Sequence, residues 1–280
     1  NVGDVVFIKW TPKPANFGTV DIRYDTNSGI GGYTGVIANA VASNNVPGGE
    51  TLIGYKWTIS DVAGIVGNKV RVKVFQTGKE TEVFSAGDFD FTIKGTLALT
   101  GDANGGAVTW LVGQNKSITW NVTGALGTVN ILYSTDGGLN YTNTIVTGTP
   151  AGSGTGSYLW AIPSNVIASD RNTTIKLKVQ TADGATSAVS ANNLTIQAQI
   201  VLIQPNGGQT LYVDNPDDGT DNYQISWTTY GQVPQVKLYY DNNSGLGADG
   251  IGGNADDYQG LIAGGAAVSN LEGYSWSVPN

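Results

Sequence analysis

Three times along the chain the same ordered set of phrases recurs, and this repetition constrains the fold more than any other feature of the sequence. The segment IKW at 8–10 returns as ITW at 118–120 and ISW at 225–227. VDIRYD at 20–25 returns as VNILYS at 129–134 and VKLYYD at 236–241. A Tyr-x-Trp-x-Ile/Val phrase then follows at Tyr55/Trp57/Ile59, Tyr158/Trp160/Ile162 and Tyr274/Trp276/Val278. The matching tryptophans Trp10, Trp120 and Trp227 stand 110 and then 107 residues apart, so one period holds one small domain.

Within each copy the phrases alternate with period two. Val129, Ile131 and Tyr133 belong to one face while Asn130 and Leu132 belong to the other, which predicts strands with one face in a core. Further strands are expected at Val70/Val72/Val74 and Ile175/Leu177/Val179, and last ones at Phe89/Phe91/Ile93 and Leu194/Ile196. Copies two and three open with LALTGDANGGAVTW and IVLIQPNGGQTLYV, each a strand split at Asn-Gly-Gly, with Trp110 matching Tyr212. The 40 glycines punctuate these runs, and no window keeps an apolar period of 3.6. The expected fold is all-β: tandem Greek-key sandwiches of immunoglobulin or fibronectin type, at 1–96, 97–198 and 199–280.

The outer copies are shorter than the middle one. Copy one begins after the place of the opening strand, and copy three stops at the Trp276 strand, before the place of two more. About six to eight core side chains would then face water at roughly 1.5–3 kcal/mol each, against a domain stability of about 5–15 kcal/mol. Unpaired edges would be bared as well. Two expectations follow: the chain is a piece of a longer repeat protein, or neighbouring copies donate strands. Simple end-to-end contact does not complete a sandwich, because the two shortfalls differ and the middle strands would be in surplus.

Cysteine, methionine and histidine are absent, so disulfides, thiolate chemistry, imidazole bases and the usual zinc ligands are excluded. A Ser-His-Asp triad cannot be built, no paired carboxylates recur on an inward face, and the chain is not expected to be an enzyme. With 14 basic against 22 acidic residues the net charge is −8, and basic residues do not cluster, so neither nucleic acid nor an anionic membrane surface is an expected partner. No run of about 20 apolar residues is present to span a bilayer. N-x-Ser/Thr sequons at Asn115, Asn121, Asn140, Asn172, Asn193 and Asn242 fit an extracellular, glycosylated surface.

The phrases PNGGQTLYV (205–213), SITW (117–120), VNILYSTDGGLNY (129–141) and SYLWAIP (157–163), in this order, resemble the extracellular immunoglobulin-like repeat of bacterial and archaeal surface proteins. That repeat is related to the Ser-Thr-rich, GPI-anchored cell-wall family. The resemblance covers all three copies. Copy one departs from it in a longer loop at 30–53 and in Ser60 where copy two has Pro163; copy three departs in an acidic insertion. The resemblance implies a spacer, stalk or wall-associated element without catalytic residues.

That insertion, YDNNSGLGADGIGGNADDYQG at 240–260, is the strongest chemical signal. Asp241, Asn243, Asp249, Asp256 and Asp257 offer hard oxygen donors on a glycine-rich loop, a composition suited to calcium. It is not an EF-hand, since Gly252 stands where a bidentate Glu is needed. Copy one has the shorter Asp25, Asn27, Gly29 and copy two Ser134, Asp136, Gly137. The competing view is a solvated hairpin in which these residues are turn formers, and the acidic loop DNPDDGTDN at 214–222 poses the same choice. Six tryptophans sit at repeat-equivalent strand positions and are expected in the core, leaving Trp110 as the one to examine for ligand contact. The expected function is a structural subunit of an extracellular filament, sheath or surface layer, made of copies of itself. The alternative is an adhesin or glycan-binding spacer of a larger surface protein.

Overall fold

The computed structural model describes residues 1–15, 17–62, 64–213, 222–242, 258 and 260–279. Among them lie 23 strands and two short 3-10 turns, so the chain is all-β. By contact it divides into two compact units. One comprises Asn1–Gly106, Ser117–Leu159 and Lys176–Asn193; the other comprises Ala107–Lys116, Trp160–Ile175 and Leu194–Asn280.

The first unit holds the first repeat and much of the middle one. The first repeat runs β1 Val5–Lys9, β2 Thr19–Asp25, β3 Gly35–Ala42, β4 Gly54–Thr58, β5 Gly67–Gln76, β6 Phe84–Ala86 and β7 Phe91–Ile93. One layer is the antiparallel pair β1-β4; the other has the order β3-β2-β5-β6, with β7 also on β5. Alternation puts Trp57, Ile59, Ile65, Val70 and Ile93 into the core between them, joined by Val2. Tyr24 of β2 stacks on Trp57 of β4, ring centroids 5.7 Å apart, which links the layers. Phe89 was expected in the last strand but lies before β7 and is exposed, because Gly87-Asp88 and Asp90 interrupt the apolar run.

The middle repeat runs β8 Thr96–Thr100, β9 Thr109–Leu111, β10 Asn115–Thr123, β11 Thr128–Ser134, β12 Asn143–Pro150, β13 Thr155–Ala161, β14 Arg171–Thr181, β15 Ser187–Val189 and β16 Leu194–Gln197. Its sheets have the orders β13-β10-β8 and β12-β11-β14-β16-β9. The opening strand is split as expected: β8 pairs with β10, a 3-10 turn at Gly101–Asn104 interrupts the strand, and β9 pairs in parallel with β16 in the other layer. This sheet order, with one split strand serving both layers, is that of an immunoglobulin-like sandwich. In β14, Lys176–Thr181 pair with β11 in the first unit, and Arg171–Ile175 pair with β16 in the second, with a register shift between Asn172 and Ile175. The alternating sets Val129/Ile131/Tyr133 and Ile175/Leu177/Val179 are buried, as the period-two pattern requires.

The last repeat, within the second unit, runs β17 Gln199–Gln204, β18 Asn222–Tyr230, β19 Gln235–Val236, β20 Tyr239–Tyr240, β21 Gly260–Leu261, β22 Val268–Ser269 and β23 Gly273–Ser277. One layer, among the described residues, has the order β17-β18-β23. The other consists, among the described residues, of the short ladders β19-β22 and β20-β21. Ile225, Trp227, Val236 and Ile262 form its small core.

The β2-β3 and β11-β12 pairs carry the same irregularity, register shifts at Val20/Ile22/Arg23 and at Val129/Ile131/Leu132. At the bulge a backbone N–H is taken by a side chain of the partner strand: Ala40 donates to Asp21 Oδ1 at 2.8 Å and Gly148 to Asn130 Oδ1 at 2.9 Å. Both residues are left-handed, with φ of 51° at Ala40 and 68° at Gly148. Alanine there is strained by about 1–2 kcal/mol, partly offset by the ~0.5–1 kcal/mol of extra unfolded-state entropy a glycine brings. Ala40→Gly is therefore expected to raise stability by about 0.5–1 kcal/mol and Gly148→Ala to lower it by a similar amount, measured by thermal unfolding of the two variants side by side.

Candidate functional site

The loops that follow β2 and β11 test the choice between turn and cation site. Asp25 is buried, and its Oδ2 accepts the N–H groups of Asn27 at 2.8 Å and Gly29 at 2.6 Å. In the middle repeat Ser134 Oγ accepts from Gly138 N–H at 2.9 Å and donates to Asp136. Asp136 also accepts from Asn140 through its backbone N–H at 3.0 Å and its side-chain amide at 2.8 Å. The Ser134 hydroxyl, followed by the Asn140 donors, holds the Asp136 carboxyl down at about 2. These oxygens are turned inward on their own loops, so at Asp25, Asn27 and Gly29 and at Ser134, Asp136 and Gly137 the residues act as turn formers. Of the calcium candidates, Asp241 follows β20, while Asn243, Asp249, Asp256 and Asp257 lie outside the described residues, as do 214–221 of the second acidic loop. Among the described residues no group of three or more acidic side chains is placed to hold a metal.

Tryptophans were the other candidate. Trp110 is a correction: it is wholly buried in β9, not a surface platform, because pairing with β16 turns it inward, edge-on to Trp160 with centroids 6.2 Å apart. Its indole N–H has no hydrogen-bond partner among the described residues. Tyr212, its counterpart in the last repeat, is 67% exposed. Trp57, Trp120, Trp160 and Trp227 are buried as expected, whereas Trp10 and Trp276 are only half-buried. Of the sequon asparagines, Asn115, Asn121, Asn140 and Asn242 are exposed and Asn172 and Asn193 half-buried.

What the sequence did not reveal is a pair of built joints between repeats. Gly124 stands four residues after Trp120, and Gly231 four after Trp227. Both have positive φ, 88° and 97°. A Cβ on Gly124 would lie 2.8 Å from Val66 Cγ2, 3.0 Å from Gly95 Cα and 3.3 Å from Val2 Cγ2. One on Gly231 would lie 3.0 Å from Ala198 Cβ and 3.3 Å from Val112 Cγ2. Val2 and Val112 are themselves equivalent: Val2 N–H donates to Lys94 O and Gly3 N–H to Ile59 O, as Val112 donates to Gln197 O and Gly113 to Ile162 O. Each joint lies within one unit, and the two use the same parts. At the first, Asp61 Oδ1 also accepts the Gly124 N–H at 2.9 Å.

Open sheet edges are the remaining feature. Among the described residues β1 pairs with β4 alone, and the last repeat exposes Ile200, Leu202, Ile203, Tyr212, Val213 and Leu261. Among the described residues no helix is long and apolar enough to cross a membrane.

No family model matches the chain, and no curated protein matches it. Among solved structures it is similar to a chimeric titin Z1Z2-Z1Z2 tandem functionalised with a GRGDS peptide from fibronectin, 14% identical over 70% of this chain and 92% of that one, TM-score 0.21. It is also similar to the chicken CNTN1 FN1-FN3 domains, 11% identical over 99% of this chain and 88% of that one, TM-score 0.24. Scores this low leave the fold assignment resting on strand order. By that order the chain is a tandem of immunoglobulin-like β-sandwiches.

Two expected outcomes follow. A carboxyl held below its unfolded value of about 3.9 orders its turn above that pH and releases it as pH falls through the folded value. The Asn140 backbone amide resonance should therefore be constant above about pH 4 and shift as pH falls through about 2, and Asp136→Ala should abolish the shift. At the joint, Gly124→Ala adds a Cβ at positive φ against Val66, and should cost about 1–3 kcal/mol, with faster tryptic cleavage after Lys94 than in the unaltered chain.

Proposed function

We propose that the chain is a structural subunit of an extracellular filament, sheath or surface layer, whose sandwiches associate by strand pairing between neighbouring units. The observation that carries this is the open β1 edge together with the exposed apolar set on the last repeat. An unpaired edge beside bared apolar side chains is the arrangement that β-strand addition uses. Two joints built from the same parts support it further, since a stack of repeats needs a fixed connection more than a flexible linker. The sequons and the likeness of the phrases to extracellular surface repeats favour a location outside the cell. The role asked of the chain is packing, not turnover.

Electron microscopy and sedimentation of the purified chain over a concentration series test this reading. Ordered helical or planar assembly above a threshold concentration is expected, with no preference on a glycan array in either calcium or chelator. Dispersed monomers at every concentration, with selective glycan binding, would overturn it in favour of an adhesin or glycan-binding spacer.

A further inference from the structure

We propose that the outer face of β11, β14 and β15 in the middle repeat is a docking surface, and that its occupant is the acidic last repeat of a second copy of this chain. The proposal rests on the assembly reading above and deepens it by naming which repeat meets which. Charge along the chain is divided by repeat. The first repeat carries nine basic and nine acidic residues and the middle one four and four, whereas the last carries one basic residue, Lys237, against nine acidic ones. The whole net charge of −8 therefore belongs to the last repeat. Eight of its nine acids lie in two stretches, 214–221 and 241–257. Packing of copies in register would set these acidic repeats against one another, which like charges disfavour. A staggered contact, last repeat against another repeat, avoids that repulsion.

The fold supplies the counterpart. Ile175, Leu177 and Val179 of β14 are sealed in the core, so Lys176 and Lys178 between them stand on the outer face. Lys178 pairs with Leu132 of β11 on one side and with exposed Val189 of β15 on the other. Its ammonium lies 5.5 Å from the centre of the Tyr141 ring, and Lys176 Nζ donates to Ala191 O at 3.3 Å. Among the described residues every ion pair lies in the first repeat, and neither lysine has one. Asp136, on the loop after β11, commits its oxygens to Ser134 and Asn140.

The first repeat is a control within the same chain. Its Lys73 holds the place of Lys178, since it pairs with Arg23 as Lys178 pairs with Leu132, and it too lies over a tyrosine, Tyr33, at 5.6 Å. Arg71 likewise holds the place of Lys176. There the face is neutralised from within: Arg23 by Asp21 at 3.6 Å, Lys73 by Glu80 at 3.8 Å, and Arg71 by Asp90. In the middle repeat Asn130 and Asn193 stand where the first has Asp21 and Asp90, and the β14-β15 turn is too short to hold a counterpart of Glu80. The middle repeat thus has the cations without the carboxylates. A carboxylate from another molecule gains most at such a face, and the last repeat is the part of this chain with carboxylates in excess.

Carbodiimide cross-linking of an equal mixture of unlabelled and isotope-labelled full chain, read by mass spectrometry after proteolysis, tests the contact. At about 10 mM salt, where the Debye length is roughly 30 Å, cross-links should join Lys176 or Lys178 to carboxyls within 214–221 or 241–257, with the two isotopes mixed. At about 1 M salt, where that length is roughly 3 Å, they should fall about tenfold or more. Lys176→Gln and Lys178→Gln together should raise the threshold concentration for assembly about tenfold at low salt and leave thermal unfolding unchanged, because both side chains stand outside the core. Lys116→Gln, the control for net charge, should change neither. Cross-links confined to a single isotope, missing from both lysines, or running to carboxyls of the first two repeats would overturn the proposal, as would a double variant that assembles like the unaltered chain. If the chain assembles yet fails this test, the docking surface falls and the assembly reading stands; if mixed-isotope cross-links form between chains that stop at dimers, the reverse holds.

Discussion

The indole N–H of the tryptophan that begins each repeat is the constraint on which the sandwiches depend. A tryptophan large enough to fill the space between two layers carries a donor into that space, and an unmet donor there costs about 1–3 kcal/mol. Each repeat meets it, the first two in the same place. Trp10 donates to Ser43 O at 2.9 Å and Trp120 to Ala151 O at 2.8 Å, both carbonyls lying directly after the bulged strand. Trp227 donates to Asn270 Oδ1 at 2.6 Å, in the segment after β22. In the first two repeats one bond thus ties the tryptophan of one layer to the end of the bulged strand in the other, and Ser43 and Ala151 are fully buried around it. Bulge and tryptophan belong together: the extra residue at Ala40 or Gly148 redirects the strand end that supplies the acceptor.

The joints extend the same economy between repeats. The glycine four residues past the tryptophan emerges at the end of the clamped strand, where the preceding repeat presents Val2 and Gly95 in one case and Val112 and Ala198 in the other. A side chain on that glycine would collide with the pad and would also need a left-handed backbone. The first repeat has Pro14 at this offset, four residues after Trp10, so it cannot form the same joint on a preceding repeat.

The strands that repeat with period two were legible because two-layer packing demands that period: Val129, Ile131 and Tyr133 could face only one way once a core was assumed. Trp110 misled because it stands outside the threefold repetition, and its burial depends on a parallel pairing with β16 more than eighty residues later, which no local pattern encodes. Nothing in the sequence set the joint glycines Gly124 and Gly231 apart from the other glycines, because a positive φ and a close approach leave the same letter. The Asp-x-Asn-x-Gly turns were ambiguous for a chemical reason: carboxylate and amide oxygens that can bind a cation can equally accept the N–H groups of their own loop, as Asp25 and Asp136 do.

The opening strands show why edges carry the function. Leu99 in β8 and Leu202 in β17 each stand opposite the tryptophan of their repeat, yet the first is 6% exposed and the second 46%. The strands hardly differ in sequence character; their surroundings do. β8 has β15 packed on its outer side, whereas the last repeat's second layer offers only ladders of two residues among the described ones. Burial of the leucine is therefore a property of the neighbouring strand and not of the strand that bears it. Polypeptide packed on that face would gain roughly 1.5–3 kcal/mol for each large apolar side chain it covers. The driving force for completing a sandwich is thus built into the exposed leucines and aromatics themselves, whichever chain supplies the cover.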